Sequence, residues 1–141
     1  MPERVPFEYA LLRVVPRVER GEFLNAGVLL ICRARRFLQA QIALDADRLR
    51  ALAPYLDGET IAQIERQVAL VPRIAAGDPD AGPIAKLGMG ERWHWLTAPA
   101  STIVQPGPVH TGLLDDPTSC LDHLFKTMVA TELPRDFDHS S

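Results

Sequence analysis

Cysteine is scarce in this chain: two residues of 141, Cys32 and Cys120, far apart and in no C-x-x-C pair. That spacing excludes a disulfide framework and a zinc cage, and reads both thiols as small buried hydrophobes. Long apolar runs are missing as well. A membrane span needs ~20 uninterrupted apolar residues, and Arg13, Arg17, Arg33 and Arg36 break each candidate stretch. The first residues, "MPERVPFEYA", lack the charged start, apolar middle and small-residue cleavage site of a secretion signal. The expected location is therefore cytoplasmic. Catalytic signatures are absent too: there is no G-x-x-x-x-G-K-[ST], no H-E-x-x-H and no G-x-S-x-G. "GMG" from Gly88 to Gly90 begins a dinucleotide fingerprint but has Trp93 where the third glycine belongs. No cofactor and no metal are expected.

What is present suffices for a globular core. A 47% hydrophobic content over this length reads as a single domain, 1–141, with an ordered core over about 6–132 and a polar, disordered C-terminal tail at 133–141. The net charge of −3 is unevenly spread. Residues 1–50 hold nine Arg against six Asp and Glu, and residues 51–141 hold six basic against twelve acidic residues. Such asymmetry can mark a nucleic-acid face, so the arginines have to be placed.

The run "YALLRVVPRV" is β-branched and aliphatic, and Pro16 ends it by removing a ladder donor. Alternation places Phe7, Tyr9, Leu11, Arg13 and Val15 on one face. A cation among apolar neighbours calls for a carboxylate, an anionic ligand or a route to water. Glu22 is the preferred internal partner; the alternative is a cleft with Arg92 and His110 that holds an anion. Next come "LNAGVLLICR", a strand in which Gly27 suggests a bulge or a close backbone approach, and "FLQAQIAL", an edge strand with one apolar face. Asn25 stands before that bulge as a turn or binding residue. In such a meander Arg17 and Arg20 lie at the opposite end from Arg33, Arg35 and Arg36. No continuous basic stripe forms, and nucleic acid is an unlikely partner.

Asp45 caps a helix through "ADRLRALA", and Ile61, Ile64, Val68 and Val71 define a second, which Pro72 should end or kink. "AAGDPDAGP" is a loop; "IAKLGMGERWHWLTAP" reads as strand from Trp93 and Trp95 two residues apart or, preferred, as two short helical pieces from Leu87, Trp93, Leu96 and Pro99; and "STIVQ" reads as a fourth strand before a turn-rich "PGPVHTG". In "DDPTSCLDHLFKTMV", Asp116 is the cap, Pro117 opens the first turn and Leu121, Leu124, Phe125 and Met128 form a stripe. The expected fold is α+β, an antiparallel sheet of three to four strands with helices packed on one face. Of the four histidines, His94 and His123 read as packing or surface residues and His139 belongs to the tail. His110 sits in a loop with Thr111, Asp115 and Asp116 behind it, so it is the one candidate general base or metal ligand.

Taken together, "YALLRVVPRVERGEFLNAGVLLICRARRFLQAQI", "RWHWLTAP", "STIVQPGPVHTG" and "DDPTSCLDHLF" resemble a bacterial family known as domain of unknown function 3037. The likeness runs from Phe7 to about Val129. It implies a bacterial cytoplasmic domain and, through its gene neighbourhood, pairing with a HipA-like kinase. It assigns no catalytic residues. Two classes of function follow. One is a protein-interaction or regulatory module, with an exposed apolar patch or an unpaired sheet edge. The other is a small hydrolase or transferase for an anionic substrate, with His110 as base, Arg13 or Arg92 on the anion, and Glu22, Asn25 and Thr111 as further binding residues.

Overall fold

The computed structural model describes residues 3–130. The tail expected at 133–141, with His139, lies outside them. Two strands form the centre: β1 (Val5–Val14) and β2 (Leu24–Cys32), antiparallel, followed by β3 (Phe37–Ile42) on the outer side of β2. Only one residue of β2, Asn25, is more than slightly accessible. A strand covered on both faces has no use for polar alternation, which is why "AGVLLIC" is continuously apolar.

Three helices follow: α1 (Ala46–Leu52), α2 (Gly58–Ala75) and α3 (Met89–Leu96). Asp45 caps α1 by accepting from the Asp47 and Arg48 amides, and Asp57 caps α2 by accepting from the Thr60 amide. Helix α2 buries Ile61, Ile64, Val68, Val71 and Ile74 against Leu12, Val14, Leu29 and Ile31 of the sheet. Pro72 was expected to end or kink α2; it does not end it, since the helix continues to Ala75. The proline lies in the last turn, where its carbonyl still accepts from Ala76 at 3.0 Å. In α3, a spacing of two residues turns side chains through about 200°, so Trp93 is 3% exposed and Trp95 51%.

The chain then returns along the free edge of β1 as two pieces, β4 (Val104–Pro106) and β5 (His110–Leu114). β4 pairs with Leu12–Val14 and β5 with Val5–Tyr9, both antiparallel. They are one edge strand broken at Gly107 to Val109, where Pro106 and Pro108 supply no ladder donor and Gly107 donates to the Leu11 carbonyl at 2.7 Å. The sheet therefore has five strands, and the expected loop at His110 is strand. Pro and Gly at that break mask a pairing that only the edge of β1 can reveal.

The last helix, α4 (Pro117–Met128), crosses to the other face. Leu121 and Leu124, with Val129 beyond the helix, pack on Phe7, Val28, Leu30 and Cys32. The expected arrangement, helices on one face, thus becomes helices on both, because β2 has two apolar faces and each must be covered. Cys32 and Cys120 are free thiols in this second core, and burial pushes the Cys120 thiol up.

A β-bulge lies between β1 and β2. Leu12 faces Gly27, but Arg13 faces Asn25, so Ala26 is the extra residue. Gly27 has no room for a side chain: a Cβ there would stand 2.8 Å from Ile42 Cγ2 and 3.0 Å from the Gln41 carbonyl. Gly27→Ala is expected to destabilise the fold by about 1–3 kcal/mol and Leu30→Ala by about 2–5 kcal/mol, measured by urea denaturation. The Asp116 carboxyl, accepting from the Ser119 hydroxyl at 2.7 Å and amide at 3.2 Å, is held below the usual aspartate range. A depressed folded value means stability present above the unfolded pKa and lost as pH falls through the folded one. Thermal melts across the acid range should therefore fall less steeply for Asp116→Asn, which caps without titrating, than for the wild type.

Candidate functional site

Arg13 has no carboxylate partner among the described residues. Glu22, its expected mate, is taken by Arg20 at 2.6 Å, and that contact lowers the Glu22 carboxyl. The turn explains the choice. Val18–Arg20 forms a short 3-10 turn closed by Gly21 at φ 67°, which brings residues 20 and 22 together at little loop cost. Arg13 instead lays its guanidinium over Phe23, 4.1 Å from the ring centroid. Its flank is Gly107, where a Cβ would come within 3.1 Å of the guanidinium carbon and of Nε. The bulge brings Asn25 opposite Arg13 on β2, and Gln105 opposes it on β4. Asn25 donates to the Met128 carbonyl at 3.2 Å, at the end of α4. Two buried atoms in this row lack any partner among the described residues, Arg13 Nε and Asn25 Oδ1. Each such atom costs about 1–3 kcal/mol.

The other sequence candidates lie elsewhere. Arg92 donates to the Leu87 carbonyl at 2.7 Å and the Ala75 carbonyl at 3.3 Å, tying the C-terminal end of α2 to the start of α3. That puts it on the opposite side of the sheet from Arg13. His110 opens β5 opposite Tyr9, with ring centroids 5.1 Å apart, four residues along β1 from Arg13. Of the acids behind it, Asp115 faces Arg4 at 3.8 Å and Asp116 caps α4. Thr111 alternates to the other face, opposite Glu8, beside a depression of about 400 Å3 lined also by Ile31 and Arg33. There Arg33 donates to Glu8 at 2.9 Å. Arg13 and Asn25 are thus brought together, and Glu22, Arg92, His110 and Thr111 are not brought to them.

A second feature was not foreseen from the sequence. Between α2, the end of α3 and the β4 edge runs a groove of about 480 Å3. Leu70 and Ile74 line it on one side, Trp95 on a second, and Pro99, Val104 and Pro106 on a third. Its polar lining residues are Gln67 and Thr102, and no acidic or basic side chain borders it. Thr102 already donates to the Val104 carbonyl at 2.8 Å. The cleft persists because the segment facing α2 is "APA", too small to fill the wedge between helix and short edge strand. Trp95 at 51% and Leu70 at 39% exposure stand on its rim. The available signal was their position: both fall off the buried stripes of their helices, 61-64-68-71 in α2 and 93-96 in α3.

Replacing the unpaired cation tests whether it supports the fold. Arg13→Met keeps the length and removes the half-buried charge with its unpartnered Nε, so stability measured by denaturant melts is expected to hold or rise by about 1 kcal/mol. A loss greater than about 2 kcal/mol, against the 0.5–1 expected from the ring contact alone, would make Arg13 a structural residue.

Among the described residues no helix is long and apolar enough to cross a membrane. No curated protein and no solved structure gives a significant match to this chain. The family model for a protein of unknown function, DUF3037, matches residues 9–129, from the first strand through the last helix. That match covers the two-faced sheet and the helices on both of its faces, and the chain belongs to DUF3037.

Proposed function

We propose that this protein is a protein-interaction module of the bacterial cytoplasm whose recognition surface is the α2–α3–β4 groove. The observation that carries the reading is a cleft of about 480 Å3 without a charged lining residue, with a half-exposed tryptophan at its rim. Apolar grooves of this kind bind through burial, and a tryptophan anchor contributes a large contact area at small entropic cost. The partner chemistry that fits is an apolar segment of another protein, and the partner implied by resemblance is a HipA-like kinase. The free edge of β3 is a weaker surface, since Gln39 and Gln41 stand on its α4-side face beside the exposed arginines of the preceding turn. The alternative, a hydrolase or transferase with His110 as base, draws little support. The acids near His110 are engaged elsewhere, and Arg13 and Arg92 lie on opposite sides of the sheet.

Co-expression with the HipA-like kinase and affinity purification through a tag on this chain tests the reading. The expected result is a stoichiometric complex that survives moderate salt and His110→Ala. Trp95→Ala should weaken it by about 2 kcal/mol, roughly thirtyfold, and Leu70→Glu should do at least as much. No complex, or one indifferent to both groove variants, would overturn the assignment.

A further inference from the structure

The hydrogen-bond phase of the sheet decides what β3 shows to its surroundings. Ala43 donates to the Ala26 carbonyl at 2.8 Å, in register with the pairs Val28–Gln41, Leu30–Gln39 and Cys32–Phe37. In an antiparallel ladder alternate residues turn both backbone groups toward the partner strand, and the residues between them turn both away. Phe37, Gln39 and Gln41 therefore bond β2, whereas Leu38, Ala40 and Ile42 aim N–H and C=O outward, where no strand pairs with them among the described residues. Proteins usually blunt such an edge with proline, charge, a bulge or shortness. The opposite edge of this sheet is blunted: Pro106, Gly107 and Pro108 break it into β4, of three residues, and β5, of five. β3 runs for six residues, "FLQAQI", without proline, glycine or charge, and its register on β2 is unbroken. Leu38 is packed into the core under α2 and Phe37 against the core under α4, so the strand is fixed on both faces and open only at its edge.

The occupant that fits this edge is the same edge of a second copy. Antiparallel pairing of the three outward residues with their counterparts puts a two-fold axis at Ala40, the smallest side chain of the strand. Ala40 then opposes Ala40, and Leu38 opposes Ile42 in both directions, with about six hydrogen bonds between the chains. In this register Gln39 opposes Gln41 of the second copy, and each amide carries both donors and an acceptor. The residues that make the edge a poor seat for an apolar partner thus suit a second copy. Further out, the register carries the exposed Arg35 and Arg36 of one chain toward Asp45 and Asp47 of the other. Arg35, Arg36 and Asp45 enter no ion pair among the described residues. A parallel pairing would instead set one arginine turn against the other, like charge against like. We propose that this chain forms a two-fold homodimer by antiparallel pairing of β3 about Ala40, which joins the two sheets into one. The groove lies at the β4 edge, across the sheet, and stays open on both copies. The dimer is therefore independent of any partner bound there.

The test is sedimentation equilibrium of the full-length chain over about 1–500 µM, with amide hydrogen exchange at both ends of the range. The mass is expected to rise with concentration from 15.6 kDa to twice that value. Exchange of the Leu38, Ala40 and Ile42 amides should slow about tenfold or more as the dimer fills. Ala40→Pro removes an outward N–H and no bond to β2, so it should weaken the dimer about tenfold or more while circular dichroism shows the fold intact. Gln39→Lys with Gln41→Lys, at two accessible positions, sets like charges opposite each other and should weaken it as much. Mixing that variant with Gln39→Glu/Gln41→Glu should restore a mixed dimer, which reads the register directly. Leu70→Glu, in the groove, should leave association unchanged. A chain that keeps the monomer mass throughout, or a dimer as tight in Ala40→Pro and in the lysine variant as in the wild type, would overturn the proposal. So would β3 amides that only a different protein protects, which would give the edge to a foreign strand.

Discussion

Two-sided burial of β2 is the constraint on which the rest of the structure depends. A strand with apolar side chains on both faces must be paired along both edges and covered above and below. β1 and β3 supply the pairing, α2 and α3 cover one face, and α4 covers the other. None of the charged side chains of the described residues is buried in either core. Polar chemistry is thereby pushed to the margins of the sheet, to the turn after β1, the turn after β2 and the broken edge strand. The groove and the Arg13 row both arise at that broken edge, on opposite faces of one short stretch of β1.

The bulge at Ala26 sets a polar row at the margin of this architecture. An unbroken register would carry the alternation of β2 straight through, but the extra residue resets it between Leu12 and Arg13. Asn25 then opposes Arg13 on the face where α4 ends, and the Met128 carbonyl orients its amide. The same bulge requires Gly27, because β3 passes too close for a Cβ. A packing requirement and a polar row therefore share a single backbone irregularity. The unpaired atoms in that row cost stability, which a fold selected for packing alone would recover by placing an aliphatic residue at position 13.

Local signals in the chain were legible where the physics is local. Asp45 and Asp116, both read as caps, bond amides within the first turns of their helices. The apolar stripes of α2 and α4 follow helical spacing, and the glycine at 27 signalled a bulge or a close backbone approach, of which the structure has the bulge at the neighbouring Ala26 and the close approach at Gly27 itself. Misreadings came where a distant element decides. Pro106, Gly107 and Pro108 hid β5, whose existence rests on the free edge of β1. Glu22 looked like the mate of Arg13 until the turn delivered Arg20 to it.

By itself the sequence determined the α+β class, the apolar second strand, the caps at Asp45 and Asp116 and the presence of an arginine among apolar neighbours, because each depends on spacing within a few residues. Tertiary structure alone decided which faces the helices cover, where the groove opens, and that Arg13 meets Asn25, Phe23 and Gly107 rather than Glu22, Arg92 and His110. Those outcomes depend on strand register and on which segment returns along β1, and a one-residue shift in register reverses the face of each side chain beyond it.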